Sequence, residues 1–155
     1  MKKQNFLSKL KTERKLELVE SSEEIKDSYI EKSESNLISA KILIENNRLE
    51  ESISLSYYSM YNMLTALLFK IGIKSENYSA SIILLKKIFN IDNSNIKEAK
   101  KERIDKQYYV DFNITKQETK EAIVIAEQFN IIILNFLEKI NKKDIQIFRE
   151  DFENV

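Results

Sequence analysis

One short segment carries side chains suited to binding a phosphorylated ligand. Arg103 is followed by Lys106 and by the adjacent tyrosines Tyr108 and Tyr109. A planar guanidinium can hold a phosphate through two parallel hydrogen bonds, and a tyrosine ring can stack on a base. The alternatives are a surface or intersubunit salt bridge for the arginine, and packing at the edge of a helical bundle for the tyrosines. The chain has no histidine, the side chain that usually exchanges protons near neutral pH.

Basic residues surround this segment. Residues 94–107 contain five basic and three acidic side chains, the basic ones being Lys97, Lys100, Lys101, Arg103 and Lys106. A small positive patch beside tyrosines fits RNA or a nucleotide. Residues 1–20 are also rich in lysine, and such an arm could contact RNA or an acidic partner. For both stretches the alternative is an ordinary solvated helix face.

Composition excludes several kinds of function. The 155 residues are enough for one domain, and 25 basic residues balance 25 acidic ones, so no overall charge draws the protein to nucleic acid. The lack of both Cys and His excludes the usual zinc sites and thiol chemistry. We expect no metal and no cofactor. We also expect no membrane association, because no apolar stretch is long enough to span a bilayer. The expected location is cytoplasmic.

Helical periodicity dominates the chain, which has one glycine and no proline. Three long segments carry apolar residues at helical spacing: Ile30, Leu37, Ala40 and Ile44; then Ile53, Tyr57, Tyr61, Leu64, Leu68 and Ile71; then Ala122, Ile125, Phe129, Ile132, Phe136 and Ile140. Ser21 and Thr115, each followed three residues later by glutamate, predict the starts of the first and third helices. Gly72 predicts the left-handed end of the second.

Shorter elements complete the predicted fold. Helices are expected at residues 79–90 and about 94–108, with residues 109–114 extended or irregular. The sequence predicts an all-α, antiparallel up-and-down helical bundle with four to five core helices and short terminal helices. Its predicted parts are a basic helical arm (1–20), the bundle (21–141) and a C-terminal short helix or tail (142–155).

Several motifs resemble one family in order and spacing. LSYYSMYN at residues 55–62 resembles the "AYYAMF" segment on the second helix of HEPN-domain proteins, and ALLFKIG at 66–72 resembles that helix's "ALL…KG" ending. Residues 29–41 resemble the family's first helix. Arg103 through Tyr108 resembles the "R-x-x-A-D-Y" segment of an uncharacterised HEPN branch often found beside a minimal nucleotidyltransferase. The resemblance covers about residues 1–140.

The resemblance implies a homodimer in which the arginine motifs of two subunits face a shared cleft. In catalytic HEPN members the motif is an arginine separated from a histidine by four to six residues. The resemblance implies a metal-independent endoribonuclease at such a motif. There the base activates the ribose 2′-hydroxyl while the arginine stabilises phosphate charge. Tyr108 stands at the histidine position here. A phenol with an ordinary pKa of about 10 is a poor base, so the sequence favours binding over catalysis.

These observations give one leading hypothesis and two alternatives. The leading one is a HEPN-like module of a prokaryotic defence or toxin–antitoxin system that binds RNA, a nucleotide or a partner protein. Its expected binding residues are Arg103, Lys106, Tyr108, Tyr109, Tyr58, Tyr78, Lys100 and Lys101. Tyr78 has loop packing as its alternative role. The first alternative function is an endoribonuclease toxin using Arg103 and Tyr108 as catalytic residues. The second is a protein-interaction scaffold that partners a nucleotidyltransferase antitoxin.

Overall fold

Seven helices and two short strands make up the part of the chain that the structure describes. The computed structural model describes residues 5–108 and 113–155, without the side chains of residues 105–108. In chain order the elements are α1 (Phe6–Thr12), β1 (Leu16–Leu18), α2 (Glu23–Glu45), α3 (Leu49–Ile71), β2 (Ile73–Ser75), α4 (Tyr78–Lys87), α5 (Ser94–Tyr108), α6 (Lys116–Lys139) and α7 (Lys142–Glu153). The all-α bundle is confirmed. Most of the segment predicted to be irregular, 109–114, lies outside the described residues.

Helix α3 forms the centre of the bundle. It contacts α2, α6 and α5 along its length, and its residues Tyr57, Met60, Leu64 and Leu67 are almost fully buried. The helix ends at Gly72, which has φ +92°, as the sequence predicts. A residue with a Cβ is strained at this φ, whereas glycine adopts it readily.

The predicted helix starts are nearly correct. The Thr115 hydroxyl accepts a hydrogen bond from the Glu118 amide and begins α6, as predicted. For α2 the prediction was one residue early, because Ser22, not Ser21, caps the helix and accepts from the Ile25 amide. Serines stand at both positions, and either can supply the hydroxyl.

The buried face of α6 differs from the predicted one. Ile132 is 53% exposed, whereas Asn130 and Thr119 are buried. Phe129 is buried as predicted. Any of three consecutive isoleucines (131–133) can continue an apolar face, so hydropathy alone does not decide which of them is buried. The buried one is Ile133, on a face that includes Thr119 and Asn130, which apolar spacing does not select.

A polar contact in the core explains why Asn130 is buried. Its side-chain amide donates to the hydroxyls of Ser59 (2.9 Å) and Ser33 (3.3 Å). Each serine hydroxyl also donates to the other serine's backbone carbonyl, over 2.6 Å from Ser33 and 2.8 Å from Ser59. The side-chain nitrogen of Asn130 is thus hydrogen-bonded, as buried polar groups usually are, whereas its Oδ1 has no hydrogen-bond partner among the described residues. This contact joins α2, α3 and α6 at one point.

The two terminal segments pack together at one end of α3. Leu16–Leu18 is a strand, not part of a helix as predicted, and pairs antiparallel with Ile73–Ser75. The Lys11 ammonium donates to the backbone oxygens of Phe152 (2.6 Å) and Val155 (2.7 Å). Burial is the main cause that lowers the pKa of Lys11, and Glu153 opposes it. In the described part of the chain, no helix combines the length and apolar character needed to cross a membrane.

Candidate functional site

Arg103 lies against two tyrosines of the central helix. Helix α5 packs on α3, and the Arg103 guanidinium carbon lies 5.1 Å from the ring centre of Tyr58 and 5.5 Å from that of Tyr57. Both distances fall within the range of cation–π attraction, about 6 Å. Tyr57 and Tyr58 are consecutive, and consecutive helical residues point about 100° apart. Tyr57 is therefore buried and Tyr58 half-buried, and the guanidinium contacts both rings.

Two further tyrosines extend this cluster. Tyr61 is one helical turn after Tyr57, and Tyr78 is the first residue of α4. The ring centres of Tyr61 and Tyr78 lie 4.5 Å apart, and Tyr57 is 6.2 Å from Tyr61 and 6.4 Å from Tyr78. Tyr78 is 44% exposed. We call Arg103 with Tyr57, Tyr58, Tyr61 and Tyr78 the arginine–tyrosine cluster.

Two of these phenols keep their protons at neutral pH. Burial is the main cause that raises the pKa of Tyr57, with the neighbouring Tyr61 adding to the rise and the charge of Arg103 opposing it. Burial also raises the pKa of Tyr61, whose hydroxyl lies 3.0 Å from the Ser81 hydroxyl. A tyrosine with a raised pKa is a hydrogen-bond donor or a stacking surface, not a base. Neither Tyr57 nor Tyr61 can therefore take the place of a histidine.

Lysines occupy the neighbouring face of α5. The Lys100 ammonium donates to the Ser79 hydroxyl over 2.8 Å, which ties α5 to the first turn of α4. Lys100 and Lys101 line a groove between α4 and α5. Because Arg103 contacts α3 while these lysines border α4, one helix presents two cationic faces next to each other.

The predicted site residues fall into three sets. Arg103, Tyr58 and Tyr78 belong to one cluster, and Lys100 and Lys101 lie together in the groove. Lys106 and Tyr108 belong to α5, but their side chains are not among those described, and Tyr109 lies outside the described residues. Sequence reasoning did not assign Tyr57, Tyr61 or Ser79 to the site. The tyrosines at 57, 58 and 61 have the spacing of one helical turn, which could have indicated their contact.

Comparison with known families gives this geometry a context. The HEPN domain family matches residues 26–140, most of the chain and all of α3 and α5. The chain belongs to the HEPN family. Family membership supports a nucleotide- or RNA-related helical module in general.

A curated relative is similar over a shorter stretch. This HEPN chain is 42% identical over 56 residues to the UPF0332 protein PH1297 of Pyrococcus horikoshii. The match covers 36% of this chain and 39% of the relative, well under half of either. The similarity indicates that the two proteins are related over this stretch, and it assigns no activity to this chain.

Proposed function

We propose that this HEPN protein binds RNA or a nucleotide, with a phosphate held by Arg103 and a base stacked on a neighbouring tyrosine. The observation that carries the proposal is the position of the Arg103 guanidinium over the rings of Tyr57 and Tyr58. A guanidinium contacts rings through its flat face and hydrogen-bonds through its edge, so ring contact and phosphate binding are compatible. The rings restrict the arginine before a ligand arrives, which lowers the entropy cost of binding.

The surroundings of the cluster support the same chemistry. Arg103 is half-buried, and an ion pair with a phosphate is stronger there than in bulk water. Tyr58 is half-buried and Tyr78 is 44% exposed, and a partly exposed tyrosine can stack on a base with little sequence preference. The local lysines add charge of the sign that attracts a phosphate backbone.

Binding is proposed ahead of RNA cleavage because of proton chemistry. Cleavage through the ribose 2′-hydroxyl needs a group that accepts a proton near neutral pH. The chain has no histidine, and the pKa values of Tyr57 and Tyr61 are raised. An endoribonuclease that uses Arg103 and Tyr108 is therefore the second hypothesis, which RNA cleavage by the purified protein distinguishes from binding.

The biological setting is part of the same proposal. We infer a role in a prokaryotic defence or toxin–antitoxin system, as a homodimer with Arg103 of each subunit at a shared cleft and with a nucleotidyltransferase as a possible antitoxin partner. The support for these points is the resemblance of residues 103–108 to the HEPN branch described above. Light scattering on the purified protein measures the subunit number directly.

The test measures RNA affinity by fluorescence anisotropy, with a 5′-fluorescein single-stranded RNA of mixed sequence. Charged hydrogen bonds are worth about 1.5–3 kcal/mol, so we expect Arg103→Ala to weaken binding by about tenfold or more. Arg103→Lys should restore only part of the affinity, because an ammonium binds phosphate as a point charge. Lys143→Ala is the matched control, since Lys143 is an exposed cation on α7.

The other outcomes identify the alternatives. If the wild-type protein has no measurable affinity for the RNA, the binding role fails and the scaffold remains. If the wild-type protein and Arg103→Ala bind the RNA equally well, the role proposed for Arg103 fails. If the wild-type protein cuts the RNA and Arg103→Ala does not, the ribonuclease reading replaces the binding module. Circular dichroism of each variant checks that the bundle is intact.

A further inference from the structure

A groove between α4 and α5 has the composition of a ligand site. Its volume is about 430 Å³, within the range of small-molecule sites, about 300–1,000 Å³. The described residues that line it are three lysines, one serine and three isoleucines: Lys97, Lys100, Lys101, Ser79, Ile82, Ile83 and Ile104. We call this the α4–α5 groove. No carboxylate is among these described residues.

Helical spacing explains why these residues meet. On α4, Ile82 and Ile83 follow Ser79 by three and four positions. On α5, three lining residues follow Lys97 by three, four and seven positions: Lys100, Lys101 and Ile104. Such residues share one helix face. Ile82 is buried, while Lys97 and Lys101 are exposed. The groove therefore has an apolar floor and a cationic rim.

The described glutamates and lysines of α5 border different cavities. Glu98 and Glu102 border a smaller cavity of about 70 Å³ beside Tyr57, between α3, α5 and α6. The three lysines border the α4–α5 groove instead. Among the described lining residues, three are lysines and none is a carboxylate. This composition matches a ligand that carries more than one negative charge, which a phosphate ester supplies and a single carboxylate does not.

One lysine is already positioned. The Lys100 ammonium is 2.8 Å from the Ser79 hydroxyl, and Lys100 is half-buried whereas Lys97 and Lys101 are exposed. A positioned ammonium loses less side-chain entropy when a phosphate binds. The apolar floor of Ile82, Ile83 and Ile104 gives a flat heterocyclic base a dry surface.

We propose that the α4–α5 groove binds one nucleotide, with its base on the isoleucines and its phosphate on the lysines. The inference rests on the proposed function and deepens it, because Arg103 and Ile104 are consecutive on α5 and the groove begins where the arginine–tyrosine cluster ends. The ligand chemistry is a phosphorylated nucleoside, either free or as one unit of an RNA strand.

The experiment measures two ligands with the full chain. The probe for free nucleotide is methylanthraniloyl-ATP, and the probe for RNA is a 5′-fluorescein uridine octamer. The groove variant is Lys97→Glu with Lys101→Glu, both exposed positions on α5. Its control is Lys142→Glu with Lys143→Glu on α7, which changes the net charge equally. We expect the groove pair to weaken binding about tenfold or more and the control pair to weaken it less than about threefold.

A third variant separates a shaped site from diffuse charge. Ile83→Trp places a large ring in the groove without changing charge, and Ile83 is half-buried, so the ring can extend into the groove. We expect it to weaken binding as the groove pair does. If the groove pair weakens binding and Ile83→Trp does not, the lysines act only as surface charge and the groove site is wrong.

The arms also distinguish the ligand source and the dependence on Arg103. Loss in the ATP arm identifies free nucleotide, and loss confined to the octamer arm identifies RNA. If Arg103→Ala weakens binding while both groove variants bind normally, the proposed function stands and the groove inference fails. If the groove variants weaken binding while Arg103→Ala does not, the groove site stands and the role proposed for Arg103 fails.

Discussion

At the scale of single residues, Tyr57 and Tyr61 differ although they share one face of α3. The Tyr61 hydroxyl is 3.0 Å from the Ser81 hydroxyl, which donates in turn to the Ser75 hydroxyl over 2.8 Å. The buried Tyr57 hydroxyl has no hydrogen-bond partner among the described residues. A buried hydroxyl without a partner loses its bonds to water and gains none in return. The two hydroxyl groups therefore contribute to stability with opposite sign.

This contrast predicts opposite effects of removing each hydroxyl. Tyr57→Phe should leave the free energy of unfolding unchanged or raise it by about 1 kcal/mol, because it removes an unpaired buried polar group. Tyr61→Phe should lower it by about 1 kcal/mol, because a hydrogen bond is lost. Urea unfolding followed by circular dichroism measures both. Equal losses in the two variants would show that Tyr57 has a polar partner in the folded protein.

At this scale the sequence identified part of the candidate site. Arg103, Tyr58 and Tyr78 were selected by residue type and resemblance, and the structure brings all three into one cluster. The contact of Lys100 with Ser79 was not predicted. It depends on how α4 lies against α5, and the spacing of residues within one helix carries no such information.

At the scale of elements, the end of α3 is fixed by α7. The Arg149 guanidinium donates to the backbone oxygens of Val19 (2.7 Å), Ile71 (3.0 Å) and Gly72 (3.3 Å). The carbonyls at the end of a helix lack partners within the helix, and Arg149 supplies one. Its guanidinium thus joins α7 to the end of α3 and to the residue after β1.

Gly72→Ala tests this junction. An added Cβ would meet the Val19 carbonyl oxygen and the Arg149 side chain, and φ is +92°. We expect the free energy of unfolding to fall by about 2 kcal/mol or more, since backbone strain and a clash act together. The melting temperature, read by circular dichroism, gives the comparison. A matched change is Ala80→Gly, at a buried position on α4 with ordinary helical φ, where about 1 kcal/mol is expected from helix propensity. A smaller loss for Gly72→Ala than for this control would contradict the junction.

Helix positions were more predictable than helix faces. The range predicted for α5, about 94–108, agrees with Ser94–Tyr108, and Gly72 ends α3 as expected. Local propensity and capping determine these features, and both can be read from neighbouring residues. The buried face of α6 and the pairing of β1 with β2 depend on contacts between distant segments. Neither the buried face of α6 nor the pairing of β1 with β2 can therefore be predicted from a short stretch of sequence.

At the scale of the whole molecule, three helices share one buried polar contact. Asn130 on α6 bonds the hydroxyls of Ser33 on α2 and Ser59 on α3. All three side chains are buried. Small serines allow α2 and α3 to approach closely, and the asparagine specifies which residue of α6 faces them. An apolar residue at this point would pack without specifying that register.

Asn130→Ala tests how far the bundle depends on this contact. We expect the free energy of unfolding to fall by about 1–2 kcal/mol, because two lost hydrogen bonds and a small cavity outweigh the removal of the unpaired Oδ1. Gln128→Ala is the control, because Gln128 is an exposed amide on the same helix. Urea titration of the two variants supplies the values, and a loss no greater than that of the control would mean that the contact is dispensable.

The bonds from Lys11 to the backbone oxygens of Phe152 and Val155 hold α1 beside the end of α7. Because these two helices already meet in space, a flexible linker could join α7 to α1, and the order of the elements would then matter less than their neighbours. A circular permutant opened in the turn at residues 46–48, between α2 and α3, would keep every helix intact. It would also leave the arginine–tyrosine cluster and the α4–α5 groove on an uninterrupted stretch of chain.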